Sequence, residues 1–78
     1  MNLEQVIELV EKWIADPESV SYEELRAACD AVHAVPADAA WYADAAWYAV
    51  HAAAALNGDI DDAKYWVAEY HKLIKENV

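Results

Sequence analysis

Cys29, His33, His51 and His71 carry the chain's thiol and imidazole groups, and Cys29 with His33 at i, i+4 puts two such ligands on one helix face. A structural zinc site needs about four donors, commonly as two pairs, and no second pair follows. The spacing therefore predicts no metal, only a buried thiol beside a half-exposed histidine. Asp30, three residues before His33, and Asp44, seven before His51, can each orient an imidazole as a general base. No activated nucleophile or glycine-rich phosphate loop accompanies either pair, so the sequence predicts no catalytic residue, no cofactor and no enzyme.

Binding chemistry is better represented. Residues 37–42 and 43–48 both read Ala-Asp-Ala-Ala-Trp-Tyr, inside a segment, 34–55, in which twelve of 22 residues are alanine. At about 100° per helical residue the two copies do not stack, because a six-residue shift turns a side chain by about 240°. Instead Trp41, Asp44, Trp47, Tyr48 and His51 share an arc of about 120° with Asp44 near its middle, and Ala39, Ala46, Val50 and Ala53 lie opposite. The small side lets a neighbouring helix approach closely. The wide side is too large to leave bare and too polar to bury unaided. Two outcomes are open: it packs inside a bundle with Asp44 bonded to a Trp or Tyr donor, or it forms a recognition or self-association surface. Four Trp, five Tyr and no Phe give every ring a polar group, which is the aromatic bias of interfaces.

A second candidate surface is acidic. Residues 1–62 hold thirteen acids and two bases, whereas 63–78 hold two acids and three bases. Glu4, Glu8 and Glu11 fall in one row on the first helix, and Glu18, Glu23, Glu24 and Asp30 continue the negative surface. Like charges at these spacings destabilise a helix by about 0.2–0.5 kcal/mol per pair. The row is either a solvated face that serves solubility or a set of carboxylates standing where nucleic-acid phosphates stand. The formal charge of -10 argues against direct contact with nucleic acid or an anionic membrane and for a basic protein partner.

The elements that position these residues are helices. One glycine and two prolines in 78 residues leave little turn material, and the Ala-, Glu- and Leu-rich stretches favour helix. Leu3, Val6, Ile7, Val10, Trp13 and Ile14 make one buried stripe over 3–15, stopped at Asp16-Pro17. Ser21 to Glu24 reads as a capping box that starts a helix over 22–34, with Tyr22, Leu25, Cys29 and Val32 as its buried stripe, ended or kinked at Val35-Pro36. Pro36 and Asp38 open a third helix over 37–56. Asn57-Gly58 caps it in the left-handed conformation, and Asp59 caps a fourth over 60–76. Ile60, Ala63, Val67, Tyr70 and Ile74 form the last stripe, flanked by Trp66 and Leu73. The predicted fold class is all-α: a small four-helix bundle or two packed helical hairpins, in one domain spanning 1–78.

Residues 47–70 resemble one tetratricopeptide repeat, with Trp47, Val50 and Ala54 before Gly58 and Ile60, Ala63 and Val67 after it. His51 stands where that family has a small residue and the closing proline is absent, so the resemblance implies a helical hairpin and no more. The size, acidity and aromatic patches of the chain resemble small phage-encoded inhibitors of bacterial defence, including anti-CRISPR proteins, several of which act as DNA mimics. That resemblance implies a non-enzymatic inhibitor that occupies the charged surface of a basic, nucleic-acid-handling protein in the cytoplasm of a host cell. The alternative is a homo-oligomeric helical module that pairs through its Trp/Tyr face and holds a small ligand at subunit junctions. A lone cysteine suits a reducing compartment, and no basic segment opens the chain as a secretory signal would. The longest low-charge run, 45–56, has twelve residues and is too short to span a bilayer.

Overall fold

The computed structural model describes residues 2–34, 40–55 and 58–76, with side chains from 43 onward in the middle stretch. These residues form four helices: α1 (Leu3–Ala15), α2 (Tyr22–His33), α3 (Ala40–Ala54) and α4 (Ile60–Glu76), with a 3-10 turn at Pro17–Ser19 between the first two. They pack as a small all-α bundle. Among the described residues no helix is long and apolar enough to cross a membrane.

Local chemistry sets the helix ends. Ser21 Oγ accepts from the Glu24 N–H at 3.1 Å while the Glu24 carboxylate accepts from the Ser21 N–H at 3.4 Å, the expected reciprocal cap. An equivalent pair, Asn2 with Gln5, caps α1 and was not anticipated, because Asn-x-x-Gln is a weaker signature than Ser-x-x-Glu. Asp16 ends α1, and its carboxylate accepts from the Glu18 N–H to open the 3-10 turn. Asp59 Oδ1 accepts from the Asp62 N–H at 3.0 Å and so caps α4. Helix α3 stops at Ala54, with Ala55 already in a bend, two residues short of the expected end. Its carbonyls are taken by the turn: the Gly58 N–H donates to Ala55 O at 2.9 Å and the Asp59 N–H to Ala52 O at 3.0 Å. Gly58 has φ +53°, as the expected cap requires. Val35, Pro36, Asp38, Leu56 and Asn57 lie outside the described residues, as do the expected first residues of the third helix.

Packing is uneven. Helices α1 and α3 each touch all the others, whereas α2 and α4 do not pack on each other. The core is correspondingly built around α3, whose Ala43, Ala45, Ala46, Ala49, Val50, Ala52 and Ala53 are all buried. Alanine allows this because interhelical distance follows the side chains at the contact, so an alanine-lined helix can be approached from three directions. The bulk comes from α1, where Val6, Ile7 and Val10 are fully enclosed and Trp13 is buried, with Ile14 half-buried at the stripe edge.

Tyr22 departs from expectation. It is 63% exposed, and the buried line of α2 is Leu25, Ala28 and Val32, with Cys29 half-buried. At about 100° per residue Tyr22 lies about 90° from the centre of that line, and Ala28 takes the contact because the alanine-rich α3 faces it at short range. In α4, Ala63, Val67 and Tyr70 are buried, and Ile60, Trp66, Leu73 and Ile74 pack partly covered around them.

Candidate functional site

With α1 behind it and α2 and α4 on its flanks, α3 turns one face outward. That face is the aromatic arc, and the structure divides it between the two flanking helices. Asp44 is exposed at its centre, so the fully enclosed arrangement with a bonded Asp44 does not hold. On the α2 side Trp47 and His51 are half-buried: the Trp47 Nε1–H donates to His33 Nε2 at 3.4 Å, and the Trp47 and His51 rings lie 4.0 Å apart at 38°. On the α4 side Tyr48 is stacked on Trp66, centroids 4.5 Å apart at 23°, yet remains 46% exposed. Tyr65 then meets Trp66 edge to face at 4.9 Å and is 58% exposed. A continuous strip of rings thus runs from His33 through Trp47, Tyr48 and Trp66 to Tyr65. Edge-to-face and offset contacts of this kind each contribute about 0.5–1.5 kcal/mol beyond area burial. The side chain of Trp41 lies outside the described residues.

Carboxylates border the strip. Asp44 precedes Tyr48 by one turn on α3. On α4, Asp62 and Glu69 fall between Tyr65 and Trp66 within one arc of about 100°. Lys64 projects away from that arc, whereas Lys72 stands about 20° beyond its Tyr65 edge, one turn past Glu69. The residues of α4 were not among those singled out from the sequence. A signal for them exists: Tyr48 and Trp66 stand nine residues either side of Asn57, so a hairpin turning there brings them level.

Beside the strip, between α2 and α3, is a recess of about 450 Å³ lined by Tyr22, Arg26, Cys29, Asp30, His33 and His51, with Ala54 and Ala55 at its α3 edge. Burial pushes the Cys29 thiol pKa up, and the neighbouring Asp30 charge adds to that, so the thiolate is disfavoured. Burial and then the facing His33 push the His51 pKa down, favouring the neutral imidazole. His51 Nε2 is buried and meets no hydrogen-bond partner among the described residues. His33 and His51 stand edge to face at 5.9 Å, so the fold brings a second imidazole to the Cys29 and His33 pair. Even so, among the described residues no three His, Cys, Asp or Glu side chains are placed to hold a metal ion.

The acidic residues expected to form the negative surface lie elsewhere, except Asp30, which lines the recess. Glu4, Glu8 and Glu11 are exposed along the outer face of α1, Glu18 on the 3-10 turn, and Glu23, Glu24 and Asp30 along α2. His71 Nε2 of α4 lies 3.4 Å from Glu11 Oε1, a contact between two exposed side chains worth about 0–1 kcal/mol. Because α1 and α3 meet through their buried faces, the acidic row and the ring strip open on different sides of the bundle. No protein-family model matches this chain, and comparison with curated proteins and with solved structures returns no significant match.

Proposed function

We propose that this protein is a non-enzymatic binder that occupies the basic surface of a nucleic-acid-handling protein and thereby keeps nucleic acid out, in the manner of small acidic inhibitors such as anti-CRISPR proteins. The observation that carries the reading is the α1 row: Glu4, Glu8 and Glu11 are exposed with a buried apolar stripe directly behind them. At about 1.5 Å rise per residue the row places one carboxylate every ~5 Å. That density is nearer to the ~3.4 Å per phosphate of one strand than to the ~1.7 Å per charge of a duplex. The match favours a groove that holds a single strand or one edge of a duplex. A helix also supplies rigidity, so the charges need no ordering when they dock. The free thiol of Cys29 suits a reducing cytoplasm as the place of action.

The test is capture of partners from bacterial lysate at about 0.1 M and at about 1 M salt, followed by a displacement assay with the captured protein and its nucleic acid. The reading expects a Lys- and Arg-rich nucleic-acid-binding protein, lost at high salt, whose nucleic acid the chain displaces. The triple variant Glu4→Gln, Glu8→Gln, Glu11→Gln weakens that binding and flattens its salt dependence. Affinity unchanged in the triple variant at every salt concentration refutes it. The exposed rings of Tyr48 and Tyr65 favour a second reading, a homo-oligomeric helical module, which expects a multimer by light scattering whose mass does not respond to salt.

A further inference from the structure

We propose that the ring strip of α3 and α4 is a second binding surface that selects arginine side chains of a basic protein segment, over lysines of equal charge. It deepens the proposed function, since it rests on a cationic partner, but it uses different residues on a different side of the bundle.

Three features of the strip point to a guanidinium. Tyr48 is 46% and Tyr65 58% exposed even though both are held against Trp66, so ring surface is presented on side chains that are already ordered. A planar, weakly hydrated guanidinium stacks on such rings, whereas an ammonium keeps its water and meets them only as a point charge. Acceptors stand at the ring borders. Asp44 lies one turn before Tyr48 and is exposed, Asp62 is exposed between Tyr65 and Trp66, and Glu69 is half-buried one turn beyond. A guanidinium stacked on either tyrosine carries N–H groups at its edge, and helical register puts these carboxylates on the same side of the bundle, where a fork of donors fits a carboxylate in a two-point bond. The complementarity is also one of sign: Asp44, Asp62 and Glu69 outnumber the one lysine at the Tyr65 edge, Lys72, on a chain of formal charge -10, so a second copy of this acidic chain is a poorer occupant than a cationic segment.

Two blocked peptides of alternating glycine with arginine or with lysine, equal in length and charge, test this on the intact protein. Calorimetry gives the affinities, and the indole N–H resonances give the location. The expected result is tighter binding of the arginine peptide, with the Trp66 indole shifted. Tyr65→Leu and Tyr48→Leu, which keep apolar bulk and remove the ring, each reduce that preference by about two- to fivefold. Asp62→Asn weakens the arginine peptide more than the lysine peptide. Circular dichroism verifies that each variant folds, and Tyr65, being exposed, is the safer of the two rings. Equal affinity for both peptides overturns the inference. So does an arginine preference that survives both tyrosine variants, or a salt-stable dimer that buries Trp66 and excludes the peptide. The two surfaces separate cleanly: Glu4→Gln, Glu8→Gln, Glu11→Gln leaves the arginine preference intact if the strip carries it. Loss of all peptide binding in that variant, with the tyrosine variants silent, leaves the acidic-row reading standing alone.

Discussion

Gly58→Ala is the most direct probe of how the α3–α4 hairpin is held, and so of what aligns Tyr48 with Trp66. Two independent costs converge on this residue. Its backbone has φ +53°, a conformation that costs a residue with a side chain roughly 1–2 kcal/mol. A Cβ there would also stand 2.7 Å from Trp13 Cζ2 and 3.2 Å from Cη2, and that indole is buried between α1 and the turn. Forcing a ring out of a packed position costs about 1–3 kcal/mol. The sum is about 2–5 kcal/mol, a large part of the ~4–12 kcal/mol that a chain of this length commands. At about 4–8 °C per kcal/mol the melting temperature falls by at least ~8 °C. Urea unfolding followed by tryptophan fluorescence and far-ultraviolet circular dichroism measures it. A double-mutant cycle separates the costs: in a Trp13→Leu background Gly58→Ala retains only the backbone part, leaving a coupling of about 1–3 kcal/mol. A loss below about 0.5 kcal/mol, or additive single effects, refutes the reasoning.

Other perturbations follow from the same contacts. Ser21→Ala removes the acceptor for the Glu24 N–H and is expected to cost about 1 kcal/mol in urea unfolding, with Ser21→Gly costing only a few tenths. His51, whose pKa is lowered by burial and by His33, takes up its proton more readily unfolded than folded. Its contribution is therefore complete above the ordinary imidazole value of 6.5 and is lost as pH falls below it through the folded value. His51→Gln should make thermal stability fall less between about pH 7 and about pH 5 than in the parent, and equal pH profiles would sink that assignment.

The sequence by itself determined that there are four helices and most of the ends the structure describes, because those depend on near neighbours in the chain. Asp16-Pro17, Ser21 with Glu24, Gly58 and Asp59 act as stops and caps through contacts only a few residues long. The α1 stripe was equally legible, since its apolar residues are large and leave one orientation that hides them. Helix α3 was not. Alanine hides nearly as little area in one direction as in another, so its periodicity could identify an aromatic arc but could not say what lies beside it. Tertiary packing decided that Trp47 leans on His33, that Tyr48 lies on Trp66, and that Asp44 stays in water. It also exposed Tyr22 and drew Tyr65, Asp62 and Glu69 into the strip. The acidic row and the rings, two candidate surfaces whose relative placement the sequence left open, face different sides for the same reason. Two helices that bury their faces against each other must turn their remaining faces apart, and only the assembled bundle says which helices those are.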